Sequence, residues 1–138
     1  MSILVLHSHL GGNNHEAAIT LGWQLGGTVM AVSEVPDVSL FDVIVFVIPN
    51  QGDEELPKAV EDFLVNLQIR DKPYYLCELG NYFGLESYVG CKRVAKELLA
   101  RLGWRCVNDI SIDAVPVLDR AALKVWIEEI LNGPDGLH

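Results

Sequence analysis

Val43-Ile44-Val45-Phe46-Val47-Ile48, closed by Pro49, is an unbroken apolar run in which every residue but Phe46 is β-branched. It is too short for a helix and shows no polar alternation. It therefore reads as a strand covered on both faces. Such a strand needs helices above and below it, which means a parallel sheet fed by crossover connections. Working outward, Ile3 to Leu6 and Thr28 to Val32 read as two earlier strands, and Tyr74 to Leu79 and Trp104 to Ile112 as two later ones. Helical periodicity fills the gaps. A stretch from about His15 to Leu25 repeats Ala18, Leu21 and Leu25 on one face before Gly26-Gly27 stops it. Pro57 suits the first turn of a helix carrying Val60, Phe63, Leu64 and Leu67. A third helix buries Cys91, Val94, Ala95, Leu98 and Leu102 and is capped by Gly103. Asp119 is a good N-cap for a fourth, with Leu123, Trp126, Ile127 and Ile130 at the same spacing. Trp23, Trp104 and Trp126 fall within these patterns and are expected to be packing residues, core or partly buried. Strands alternating with helices predict an α/β fold, and 138 residues with no linker or low-complexity tract predict one domain over 1–138.

Composition excludes several classes. Half the residues are hydrophobic, so a substantial core can form. Ten Lys and Arg against nineteen Asp and Glu give a net charge of -9, which argues against nucleic-acid binding. The same charge either keeps the domain soluble or steers it to basic protein surfaces. Cys77, Cys91 and Cys106 form no close pair, as expected of reduced thiols in a cytoplasmic protein, two of them buried. Neither a signal peptide nor a membrane span is legible. His7, His9 and His15 are close in sequence, but apart from Glu16 no acidic or thiol ligand is spaced with them, so a metal site is not the expectation.

In an open parallel sheet, ligands bind beyond the carboxyl ends of the strands. Three loops lie there. In Ser8-His9-Leu10-Gly11-Gly12-Asn13-Asn14 the glycines allow N–H groups to converge on an anion. Ser8, Asn13 and Asn14 add side-chain donors, and a helix dipole lies behind them. The loop lacks the lysine and glycine spacing of nucleotide-triphosphate loops, so a phosphomonoester fits it better; alternatively it is a plain turn and helix cap. The second loop, Pro49-Asn50-Gln51-Gly52-Asp53-Glu54-Glu55-Leu56-Pro57, offers a flexible peptide at Gly52. Its acidic triplet is either a docking surface or charge complementing a helix N-terminus. The third, Gly80-Asn81-Tyr82-Phe83-Gly84 and on to Tyr88, sets aromatics between glycines. They form either a platform for a planar ring or packing over the sheet edge.

At these loops the chain resembles the flavodoxins and their flavodoxin-like relatives. Ile3 to Ala17 is similar to the family's phosphate loop, with Ser8, Gly12, Asn13 and Ala18 matching. Asp42 to Pro57 is similar to the third strand and following flavin loop. Gly80 to Gly84, then Leu102-Gly103-Trp104, fall where the second flavin loop and its helix belong. The likeness runs through the whole chain in order. It departs where His9, Leu10, Gly11 and Asn14 take places usually given to hydroxyl residues, and at Gln51, where many relatives place an aromatic.

The resemblance implies a three-layer sandwich with a five-stranded parallel sheet of order 2-1-3-4-5. It implies an electron carrier that binds FMN non-covalently and is a monomer. Ser8 to Asn14 would hold the phosphate, with His9 as a compensating cation. Pro49, Asn50, Gln51, Gly52 and Asp53 and Gly80, Asn81, Tyr82, Phe83 and Tyr88 would border the ring. Partners would be redox proteins with basic docking surfaces, with no role for nucleic acid or membrane. Two other readings stay open. One is a flavin-free, partner-binding module; the other is an FMN-dependent reductase of a small oxidant, although the long insertions that usually build a substrate pocket are missing.

Overall fold

The computed structural model describes residues 1–9, 12–34, 36–50, 55–80 and 91–133. Five strands, β1 (Ile3–His7), β2 (Thr28–Ala31), β3 (Val43–Pro49), β4 (Pro73–Gly80) and β5 (Arg105–Asp113), alternate with helices α1 (Gly12–Leu25), α2 (Lys58–Asn66), α3 (Lys92–Arg101) and α4 (Arg120–Asn132). The strands pair in parallel in the order β2-β1-β3-β4-β5, as expected. Ile3 lies opposite Val43 and His7 opposite Val47, so the two central strands end side by side.

The two-residue period of a strand divides the core. Val5, Val45 and Cys77 face α1 and α4, packing with Ala18, Leu21, Trp126 and Ile130. Leu4, Leu6, Ile44, Phe46 and Leu76 face α2 and α3, packing with Leu64, Leu99 and Trp104. Both buried indoles place their N–H groups. Trp104 Nε1 donates to Ile69 O at 2.8 Å and Trp126 Nε1 to Asn108 Oδ1 at 3.3 Å. Gly26 and Gly103 take the left-handed φ (70° and 73°) that ends a helix, and Asp119 caps α4 by accepting from Ala122 N at 3.0 Å.

Two expectations are corrected. Trp23 is not a packing residue: it is 85% exposed. At 100° per residue it stands opposite the face defined by Ala18, Leu21 and Leu25. The first helix begins at Gly12 rather than near His15, so Gly12, Asn13 and Asn14 belong to its first turn rather than to a free loop.

Candidate functional site at the strand ends

β1 exits toward β2 through α1, whereas β3 exits toward β4 through α2, so the connections diverge between β1 and β3. This is the switch point at which a doubly wound sheet opens a crevice. On the β1 side, Asn14 ties three elements together. Its Oδ1 accepts from Ser8 N at 3.0 Å and from Ser8 Oγ at 2.9 Å, and its Nδ2 donates to Val47 O at 3.0 Å. Asn14, Ser8 and Val47 are all buried. The amide orientation follows from its partners, because a carbonyl only accepts.

The same logic fixes ring protons. The Ser8 hydroxyl spends its hydrogen on Asn14, so His9 Nδ1, 2.6 Å from Ser8 Oγ, must be the protonated nitrogen. His7 Nδ1 lies 2.7 Å from His9 O and also carries a proton. Burial lowers the His7 pKa, opposed by the bond to His9 O, and nearby His15, 5.1 Å away between ring centroids, lowers it further. Asn13 Nδ2 donates to Ala114 O, tying the start of α1 to the segment after β5.

The candidate phosphate side chains Ser8, Asn13 and Asn14 are thus brought together, but each is engaged within the protein. The donors suited to an anion are main-chain ones. The N–H groups of α1's first turn have no acceptor in their own helix, and no acidic residue stands among them. Gly12 opens the turn at φ 70°, and a Cβ there would meet nothing within 4 Å among the described residues. His9 is exposed beside it. This donor set fits a phosphomonoester through backbone rather than hydroxyl groups.

At the ends of β3 and β4 the structure places Pro49 and Gly80, with Asn50 just past β3. Asn50 N donates to Leu79 O at 2.6 Å and Ala114 N to Gly80 O at 2.8 Å, extending the sheet past its last residues. Leu10, Gly11, Gln51, Gly52, Asp53, Asn81, Tyr82, Phe83 and Tyr88 lie outside the described residues. A groove of about 420 Å³ between α2 and the segment after β2 lies elsewhere. It is lined by Val32, Pro36, Phe63 and Ile69 with Asp37 and Asp62, a chemistry unsuited to an anion.

Sequence reasoning passed over Glu78. It is buried in β4 and accepts from Lys92 N at 2.6 Å, Ser111 Oγ at 3.2 Å and Cys91 Sγ at 3.6 Å. The signal was a lone acid inside an apolar strand. Among the described residues no helix is long and apolar enough to cross a membrane.

No protein-family model matches the chain, and no curated protein does. Solved structures do. A cysteine-to-serine mutant of flavodoxin from Pseudomonas aeruginosa aligns with TM-score 0.74 at 20% identity, over 99% of this chain and 100% of that one. The flavodoxin of Streptococcus pneumoniae aligns with TM-score 0.72 at 18% identity, over 90% and 91%. That of Fusobacterium nucleatum, bound to flavin mononucleotide, aligns with TM-score 0.65 at 17% identity, over 77% and 68%. At such identities the likeness concerns architecture, and it agrees with the strand order and the placement of the four helices: this chain has the flavodoxin-like fold.

Proposed function

We propose that residues 1–138 form one FMN-binding electron-transfer domain, with the phosphate held at the start of α1 and the ring bordered by the segments after β3 and β4. The observation that carries this reading is the first turn of α1. It is free of acidic residues, opened by a left-handed Gly12, and set at the β1/β3 switch point of a 2-1-3-4-5 sheet. FMN, when bound, supplies reversible electron transfer; the protein supplies orientation and electrostatics. Here the Gly12 to Asn14 amides bind the phosphate. Asn14 keeps that turn fixed to β1 and β3, and Asn50 and Gly80 start the segments beside the ring. The net charge of -9 favours redox partners with basic docking surfaces in the cytoplasm.

The experiment is a fluorescence titration of the apo protein with FMN and with riboflavin, which lacks the phosphate. FMN binding at least about 100-fold tighter than riboflavin is expected, and Gly12→Asp, which sets a negative charge at the amide cluster, removes most of that difference. A folded protein that leaves FMN fluorescence unchanged at high-micromolar concentration would overturn the reading. The inward commitment of the Ser8, Asn13 and Asn14 side chains favours a second reading, a flavin-free module that binds a protein partner, and that result would select it.

A further inference from the structure

Glu78 is 1% exposed, a rare location for a carboxylate without strong partners. Its described partners are all donors, and they come from different sides of the candidate site. Oε2 accepts from Lys92 N at 2.6 Å and from Cys91 Sγ at 3.6 Å; Oε1 accepts from Ser111 Oγ of β5 at 3.2 Å. Cys91 Sγ also lies 3.5 Å from Pro49 O, at the end of β3. Cys91 and Lys92 end the segment that leaves β4 at Gly80, and Pro49 begins the segment that leaves β3. One carboxylate of β4 therefore holds the start of α3, and the single Cys91 S–H is shared between that carboxylate and Pro49 O at the end of β3.

We propose that Glu78 is the positioning residue of the strand-end site, acting through the Lys92 amide, Cys91 and Ser111 to hold the start of α3 against the ends of β3 and β5. The proposal rests on the FMN reading above. Its physical basis is threefold. Cys91 supplies no side-chain cap to α3, so the Glu78 carboxylate serves the N–H at the helix start, where the helix dipole also favours negative charge. A short hydrogen bond from an amide to a carboxylate is among the stronger kinds. A helix start fixed before binding need not be fixed by the ligand, so the hold contributes to affinity through preorganisation. Glu78 itself faces the α2–α3 layer alongside Leu76, behind the site, so it acts through its neighbours and not by touching the flavin.

The test uses the full chain with Glu78→Gln, Glu78→Ala and Cys91→Ala. Gln keeps the shape and one acceptor for Lys92 N while removing the charge; Ala at 78 removes the bonds from Lys92 N, Ser111 Oγ and Cys91 Sγ; Ala at 91 removes the thiol contacts to Glu78 Oε2 and Pro49 O and leaves the Lys92 N bond. FMN dissociation constants are expected to rise about 10- to 100-fold for Glu78→Ala and less than about 10-fold for the other two. The flavin midpoint potential of Glu78→Gln is expected to move upward, because a negative charge behind the site has been removed. Ile130→Val, a core change across the sheet, leaves both values unchanged. Amide exchange at Lys92, followed by NMR in the apo protein, speeds up in Glu78→Ala and little in Glu78→Gln. Should Glu78→Ala fail to fold, the potential of Glu78→Gln together with the affinity of Cys91→Ala decides. Wild-type affinity, potential and Lys92 exchange in the variants, with FMN bound normally by the parent protein, overturn the positioning role and leave the FMN reading intact. A parent protein that takes up no FMN overturns the FMN reading and this role with it, while the Lys92 exchange in the apo protein still reports whether Glu78 holds the helix start.

Discussion

Asn14→Ala removes the side chain on which the β1 end of the site depends, and its cost can be worked from three bonds. Ser8 N loses its 3.0 Å acceptor, Ser8 Oγ its 2.9 Å acceptor and Val47 O its 3.0 Å donor, all in buried surroundings. The three losses are unequal. The Ser8 hydroxyl can turn its hydrogen toward His9 Nδ1, 2.6 Å away, if the imidazole changes tautomer. Val47 O is a carbonyl with a second lone pair, and under-satisfied carbonyls are tolerated better than orphaned N–H groups. The Ser8 amide has no such recourse, and an unsatisfied buried donor costs about 1–3 kcal/mol. Adding a smaller contribution from Val47 O and the lost packing gives a total of about 2–4 kcal/mol, out of the roughly 5–15 kcal/mol typical of a folded domain. The variant should fold, with Tm lower by about 10 °C. Urea unfolding followed by circular dichroism measures the loss, and an unchanged m value shows that the unfolded state is the same. Asn14→Asp gives a similar loss at neutral pH, because a second acceptor then faces Val47 O. Asn13→Ala, which frees only the half-buried bond to Ala114 O, costs about 1 kcal/mol or less. An Asn14→Ala loss below about 1 kcal/mol, or one no larger than that of Asn13→Ala, would refute the bridging role.

Two pH effects follow from buried and paired groups elsewhere. Burial pushes the Asp109 carboxyl up, but hydrogen bonds and charge from Lys96 (2.7 Å) and Lys92 (2.9 Å) outweigh it and bring its pKa to about 2. A depressed carboxyl stabilises the fold above its unfolded value near 4, and that stability is lost as pH falls from about 4 to about 2. Discounted for solvent screening at this part-exposed pair, the contribution is about 1 kcal/mol. Asp109→Asn loses that amount at pH 7 and unfolds less steeply between about pH 4 and 2, as urea midpoints measured across that range would show. His7 behaves in the same sense near neutrality. Its burial lowers the imidazole below its usual value, with His15 acting in the same direction and Glu34 opposing. The unfolded chain therefore takes up the proton first, and stability is full above about pH 6.5 and falls below it. His7→Asn flattens the urea midpoint between about pH 7.5 and 5.5; a slope identical to that of the parent protein would sink the assignment.

The sheet was legible because its strands obey a simple rule. Val43 to Ile48 and Ile3 to Leu6 are apolar at every position, and both faces are covered, so neither register nor neighbours could disguise them. Trp23 is exposed for a physical reason also written in the sequence. Its angle on α1 put it outside, whereas the size and apolarity of indole suggested the core. The periodicity, which averages over a whole face, was the better guide than the residue type. The site was legible only as a place. Ser8, Asn13 and Asn14 are the right residue types for an anion loop, yet hydrogen-bond direction is a property of three-dimensional neighbours, and Val47 and Ala114, 33 and 101 residues away, claim those amides.

Glu78 marks the opposite case. A carboxylate in an apolar strand lowers the expectation of burial when read by composition, but its partners make burial favourable: an amide at a helix start, a thiol and a hydroxyl. Those partners come from segments 13 to 33 residues distant, so no local pattern announces them. The same logic separates the two kinds of polar residue at the strand ends. Asn14 and Glu78 face inward and fix where the connections begin. The first-turn amides of α1, opened by Gly12, are the groups whose helix gives them no acceptor. Under the proposed function, recognition of the phosphate falls to the main chain, and the buried side chains act by holding that main chain still.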